Sequence, residues 1–254
     1  MKRYMKKRTI HRSKKGKKGI LLLAVLAALF ITGCGNSAAT EGQTETVETE
    51  SDLTAAKVGS LITFGHYEQD NDTSNGKEPI EWIVVEKRED GGLLVMSRYA
   101  LDVQPFNVER ISVSWRTCTL REWLNGSFLN TAFSPDELAM ISTDNTWNAE
   151  NSPYEANSED LVFLFSKLEV REYFADDADG DCEARTCEST AYAKAQGVWT
   201  SEGGYDGKCR WWLRSLGDDT TNAAFVGING RVYDLGRMVN REDLGIRPAM
   251  VIKP

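Results

Sequence analysis

Histidine is nearly missing: the 254 residues contain two, and His11 lies in a basic leader, which leaves His66. A Ser-His-Asp or Cys-His nucleophile, or a multi-histidine metal centre, would have to be built around that one side chain. The shortage argues against a hydrolase. An apolar run of bilayer length is missing too. The longest, residues 20–32, spans about 20 Å as a helix at ~1.5 Å per residue, against a hydrocarbon core of ~30 Å. No internal repeat of 20 to 50 residues is visible, which excludes solenoid and propeller arrays. Basic residues are the last shortage. Beyond residue 33 there are 20 Lys and Arg against 38 acids, a net charge of about −18. Such an exterior excludes nucleic acid as a partner and fits a soluble ectodomain held off an anionic surface.

What is present begins with an address. Residues 1–19 carry ten Lys or Arg and no acid, residues 20–32 are uncharged, and small residues follow. This is the layout of a secretory signal, expected to cover residues 1–33. The Ile31-Thr-Gly-Cys34 sequence resembles a bacterial lipobox. The resemblance implies diacylglycerol transfer to Cys34, cleavage after Gly33, and acyl chains, palmitate among them, that hold the protein on the extracytoplasmic face of the membrane. A spanning anchor is the alternative for this segment. Gly35 follows with no retention Asp, so the expected site is a Gram-positive cell surface. Residues 34–56 are polar, acidic and free of aromatics. They read as the lipidated cysteine and a disordered tether, which leaves 57–254 as one folded domain.

Within that domain, the 58–67, 80–86 and 93–97 runs read as strands bounded by Asn, Asp and Gly. Residues 102–117 read as a loop. A helix is expected over 119–126, capped by Thr119 and ended by Asn125-Gly126, and a second from Ser134-Pro135. Residues 161–165 suit a strand or a helix entry. Helices are expected again over 166–174 and 189–197. Residues 209–252 then hold a tryptophan-rich strand, an Asn229-Gly230 hairpin and a closing strand. Strands, then helices, then strands imply an α+β fold.

The candidate chemistry is sparse. Besides Cys34 there are Cys118, Cys182, Cys187 and Cys209. An exported domain allows disulfides, and Cys187–Cys209 is the preferred pair, with free buried thiols as the alternative. Asp177, Asp179, Asp181 and Glu183 alternate around Gly180 like a calcium loop. The late bidentate Glu is absent, so a solvated acidic loop is the competing reading. Of the seven tryptophans, Trp82, Trp123 and one of Trp211 and Trp212 lie on core-like elements, while Trp115 and Trp147 in loops are the candidate ligand contacts. Residues 210–247 hold six arginines against five acids, in contrast to thirteen basic residues and twenty-eight acids over 57–209. Arg231, Tyr233 and Arg237 on the hairpin are therefore candidate contacts for an anionic group. Internal pairing of these arginines with the surplus carboxylates is the alternative.

Several blocks resemble the domain-of-unknown-function family 6273. They are Ile62-Thr-Phe-Gly-His-Tyr67, Pro79-Ile-Glu-Trp-Ile83, Thr117-Cys-Thr-Leu-Arg-Glu-Trp-Leu-Asn125, Phe128-Leu-Asn-Thr-Ala-Phe133, Thr190-Ala-Tyr-Ala-Lys-Ala-Gln-Gly197, Trp211-Trp-Leu-Arg-Ser215 and Gly245-Ile-Arg-Pro-Ala249. The set spans nearly all of 57–254; Leu216 stands where the pattern favours Pro. The last blocks also resemble, more distantly, C-type-lectin-like and formylglycine-generating-enzyme-like domains. That resemblance implies one compact domain whose terminal strands pair, with long loops on one side, and fold alone gives no function. The expected function is a non-catalytic, membrane-anchored binding module without a cofactor, meeting a peptide, protein or glycan. An oxidative enzyme on the same scaffold, which needs a reactive copper-binding cysteine pair, and a purely structural lipoprotein are the alternatives.

Overall fold

The computed structural model describes residues 53–146, 157–174 and 180–254, all within the compact unit Glu48–Pro254. The leader, Cys34, most of the tether, Trp147, Asp177 and Asp179 lie outside the described residues. The fold begins earlier than composition suggests. Leu53–Ala55 is a 3₁₀ turn, Ala56 is buried, and Lys87 donates to the Thr54 carbonyl at 3.0 Å. Residues 53–56 are therefore part of the domain and not tether.

Strands β1 (Leu61–Tyr67), β2 (Glu78–Lys87) and β3 (Leu93–Ser97) form an antiparallel meander. In β1 the buried phase slips between Thr63 and His66, at a bulge made by Gly65. Its φ is 72°, and an added Cβ would lie 2.4 Å from the Phe133 ring, so only glycine fits. β3 is buried along its whole length, as expected for a strand covered on both faces. β4 (Asp102–Val103) then leaves this sheet for the second one.

The central helical stretch runs further than expected. It passes through α1 (Thr119–Trp123), a π turn (Leu124–Phe128) and α2 (Leu129–Ala132). Asn125-Gly126 does not end it, because the Asn125 side chain is committed elsewhere. Its Oδ1 accepts from the Leu161 and Val162 amides, and its Nδ2 donates to the Val162 carbonyl at 2.8 Å. The π turn adds a residue, and Leu124, Phe128 and Leu129 are all buried. α3 (Pro135–Met140) and, further on, α4 (Lys167–Tyr173) each open with a full capping box, Ser134 with Glu137 and Ser166 with Glu169. Between them lie β5 (Ile141–Ser142), β6 (Asp144–Thr146), β7 (Ser158–Asp160) and β8 (Val162–Phe163). α5 (Ala191–Gln196) is capped by Thr190 and stopped by Gly197.

The last five strands are β9 (Trp211–Leu216), β10 (Asn222–Val226), β11 (Val232–Met238), β12 (Gly245–Ile246) and β13 (Ala249–Ile252). One sheet runs β1-β2-β3-β13-β5, with β8 sharing the β13 edge; the other runs β11-β10-β9-β12-β4. This is an α+β fold. The first and last strands share a sheet but do not pair directly, contrary to expectation. The β1–β2–β3 meander leaves β1 at the sheet's edge, and β13 takes the other side of β3. Trp82, Trp115, Trp211 and Trp212 are fully buried between these layers. Among the described residues no helix is long and apolar enough to cross a membrane.

Candidate functional site

The terminal hairpin brings Arg231, Tyr233 and Arg237 together. β10 and β11 set Phe225 opposite Tyr233, and their rings stack at 4.7 Å with 3° between planes. Arg237 lies over the Phe225 ring at 5.3 Å and Arg231 over Tyr233 at 6.0 Å, a cation–π arrangement with a guanidinium on each ring. Arg210 extends the strip, 4.4 Å above the exposed Trp199 ring. Burial, and next the charge of Arg237, draw the Arg210 guanidinium below its ordinary value. The six arginines of 210–247 thus divide. Arg214 pairs with Glu169 and Arg241 with Asp243, as internal pairing requires. Arg247 is buried against backbone carbonyls, whereas Arg210, Arg231 and Arg237 rest on rings and have no ion-paired carboxylate among the described residues. β11 is an edge strand. Tyr233 is 41% exposed and Leu235 72%, so the strip faces solvent beside an apolar side chain.

The turn that carries the strip is fixed from behind. Gly230 has φ 76°, and a Cβ there would fall 1.8 Å from the Cys182 carbonyl oxygen. That crossing is held by Cys182 N–H donating to the Asn229 carbonyl at 2.9 Å and by the fully buried Arg185 donating to the Gly230 carbonyl at 2.7 Å. The buried arginine is a support of the hairpin that sequence reasoning missed, since nothing local marks it as different from an exposed one.

Cys187 and Cys209 face each other. Glu188 bridges Lys208 in antiparallel sense, which sets Cys187 opposite Cys209, and the Cys209 amide donates to the Cys187 carbonyl at 2.8 Å. Opposed antiparallel residues stand ~4.5–5.5 Å apart at Cα, within disulfide range. All four described cysteines are buried. Burial works against a thiolate at Cys187. The hydrogen bond with Cys209 and then the Arg247 charge outweigh it and draw Cys187 down, while the same contact and burial push Cys209 up. Arg247 donates to the Ser97 carbonyl, lies 5.1 Å over Trp211 and leaves a buried Nη1 without a hydrogen-bond partner. Cys118 is inert by contrast, its thiol pushed up to about 12 by burial.

The other candidates lie apart from the strip. Trp115 is not a ligand contact: it is fully buried, packs on Phe106 and donates from Nε1 to Asp160 at 2.9 Å. Its 3₁₀ turn points the ring inward, so lying in a loop did not mean lying at the surface. Asp181 accepts from the Asn229 side chain at 2.6 Å and from the Tyr205 hydroxyl, and the Glu183 side chain is 85% exposed. These two acids are occupied or solvated and do not converge. The carboxylates that converge among the described residues are Glu68, Asp70 and Glu78, in a stretch that reads only as a polar turn. His66 is exposed on β1.

No curated protein and no solved structure matches the chain. The sequence signature of the family described as Domain of unknown function (DUF6273) matches residues 90–254. The match starts in the turn before β3 and takes in the hairpin, the thiol pair and the tryptophan-rich strand β9; the Ile62 and Pro79 blocks lie ahead of it. With that signature covering most of its length, the chain belongs to the DUF6273 family.

Proposed function

We propose that this protein is a non-catalytic, extracytoplasmic binding module, held at the membrane through lipidated Cys34, which receives an acidic peptide, protein or glycan group on the strip formed by Arg210, Arg231, Tyr233 and Arg237. One observation carries the reading: in a strongly acidic chain, exposed Arg231 and half-buried Arg210 and Arg237 lie on aromatic rings and have no ion-paired carboxylate among the described residues. A guanidinium over an aromatic face has in-plane donors left for recognition, and a carboxylate can take two of them. Stacked rings and Leu235 beside them supply the apolar area that such recognition needs. A C-type-lectin-like scaffold is part of this proposal, supported by the buried Trp-Trp-Leu-Arg-Ser strand and its small-residue hairpin.

The test is an array of acidic and neutral peptides and glycans probed with the full chain in detergent. Binding confined to acidic probes, falling with salt and lost in Arg231→Ala and Arg237→Ala at unchanged melting temperature, is the expected result. Equal binding by the variants overturns the reading. The anchor is tested separately: a Cys34→Ala protein that still incorporates labelled palmitate removes it. The oxidative-enzyme reading has the contact between Cys187 and Cys209 in its favour, but both sulfurs are buried and a substrate must reach them. Rapid alkylation of either thiol at neutral pH would reinstate it.

A further inference from the structure

The β1–β2 connection gathers three carboxylates. Tyr67 at the end of β1 pairs with Glu78 at the start of β2, so the intervening turn brings Glu68 and Asp70 back against Glu78. One oxygen from each lies within 4.8 Å of the other two. None of the three is ion-paired with a Lys or Arg among the described residues. The neighbouring Lys77 lines the same cleft as Glu68 and donates to the Thr131 carbonyl at 2.6 Å.

Glu68 is the decisive member. It is 9% exposed, and its Oε1 is buried with no hydrogen-bond partner. A buried carboxylate oxygen without a donor is unfavourable, and two adjacent acids make it more so. Burial, and then the Glu78 charge, hold Glu68 above the ordinary carboxylate range. Asp70 goes the other way: the Asn75 side chain and the Asp72 amide hold it below that range, so the corner keeps a fixed anion. Gln69 N–H donates to Glu78 at 2.6 Å and orients it. Two clefts open onto the corner, one of about 530 Å³ lined by Asp70, Glu78 and Tyr99, the other of about 350 Å³ lined by Glu68, Tyr67 and Tyr192.

We propose that Glu68, Asp70 and Glu78 form a site for a calcium-type divalent cation, with Glu68 supplying its unpartnered Oε1. Hard oxygen ligands at ~2.3–2.6 Å from calcium stand no more than about 5 Å apart across the ion, and the observed spacing falls inside that limit. Water entering from the clefts completes the six to eight ligands that calcium takes. The site is independent of the arginine strip.

The test titrates the EDTA-treated full chain with calcium chloride by calorimetry, and with terbium chloride by luminescence excited through Tyr67 and Tyr192. One-to-one binding with Kd of order 10⁻⁴ to 10⁻³ M, typical of extracellular modules, is expected, with protons released as Glu68 gives up its own. Glu68→Gln and Glu78→Gln are expected to raise Kd at least ~10-fold, while Asp181→Asn leaves it unchanged. Melting without calcium shows whether each variant is folded, and Asp70→Asn, on the exposed turn, serves if Glu68→Gln is not. No calcium or terbium binding at millimolar concentration overturns the proposal. So does binding that survives the Glu68 and Glu78 substitutions or disappears with Asp181→Asn.

Discussion

The arginine strip on β11 and the acidic corner after β1 are opposite in sign and alike in one respect. Each gathers like charges without an ion-paired partner of the other sign among the described residues. They differ in what surrounds the charge. Arg231 and Arg237 lie on rings at the rim, where water screens them and the rings' negative faces offset part of the charge. Glu68 is enclosed, with a bare oxygen. Unpaired charge at a surface is inexpensive and available for recognition. Enclosed, it demands a proton or an ion. The same imbalance therefore underlies both proposals, the strip for docking and the corner for an ion.

The contrast can be broken by removing arginines of different burial. Arg214 is buried and bound to Glu169 and to the Leu164 carbonyl, so Arg214→Ala should cost about 3 to 5 kcal/mol in urea unfolding. A loss under about 1 kcal/mol would mean that burial is not what separates the two classes. Closing Cys187–Cys209 with an oxidant comes next. The loop it ties is short enough for a gain of roughly 3 kcal/mol, read from the melting temperature with and without reductant. Mass spectrometry should find that bridge and leave Cys118 and Cys182 free.

The acidic corner gives a smaller, pH-dependent signal. Glu68 binds its proton more tightly folded than unfolded. In EDTA its contribution to stability is therefore complete below the ordinary carboxylate range and is lost as pH rises through the raised folded value. Glu68→Gln carries no such proton, so its melting temperature relative to the parent should climb as pH rises above the ordinary carboxylate range. A flat difference would show that Glu68 is not enclosed. Smallest of all, Arg231→Ala and Arg237→Ala should each shift stability by no more than about 0.5 kcal/mol, which a urea titration can resolve.

Much of the fold was legible because its signals are local. Gly and Asp residues bound β2 and β3, and the capping boxes at Ser134 and Ser166 place two helices. Asn229-Gly230 marks the hairpin on which Arg231, Tyr233 and Arg237 meet. Where the sequence misled, a distant partner decided. Asn125 reads as a helix stop but serves the entry to β8. Trp115 reads as a surface aromatic but finds Phe106 and Asp160. The acidic corner was illegible because Glu68 and Glu78 meet only through the Tyr67–Glu78 register.

The placement of β13 has a consequence for how the chain is made. Its four residues, Ala249–Ile252, pair with β3 on one side and with β5 and β8 on the other. Synthesis runs from the N-terminus, so β1–β3 are finished while the edge of β3 still waits for β13 to arrive. A chain stalled before residue 249 has an open β3 edge and two unattached short strands. That edge can recruit another chain, and pairings across such long stretches of sequence form slowly. Until Ala249–Ile252 emerge the domain cannot close, which makes the interval before they do an aggregation-prone one.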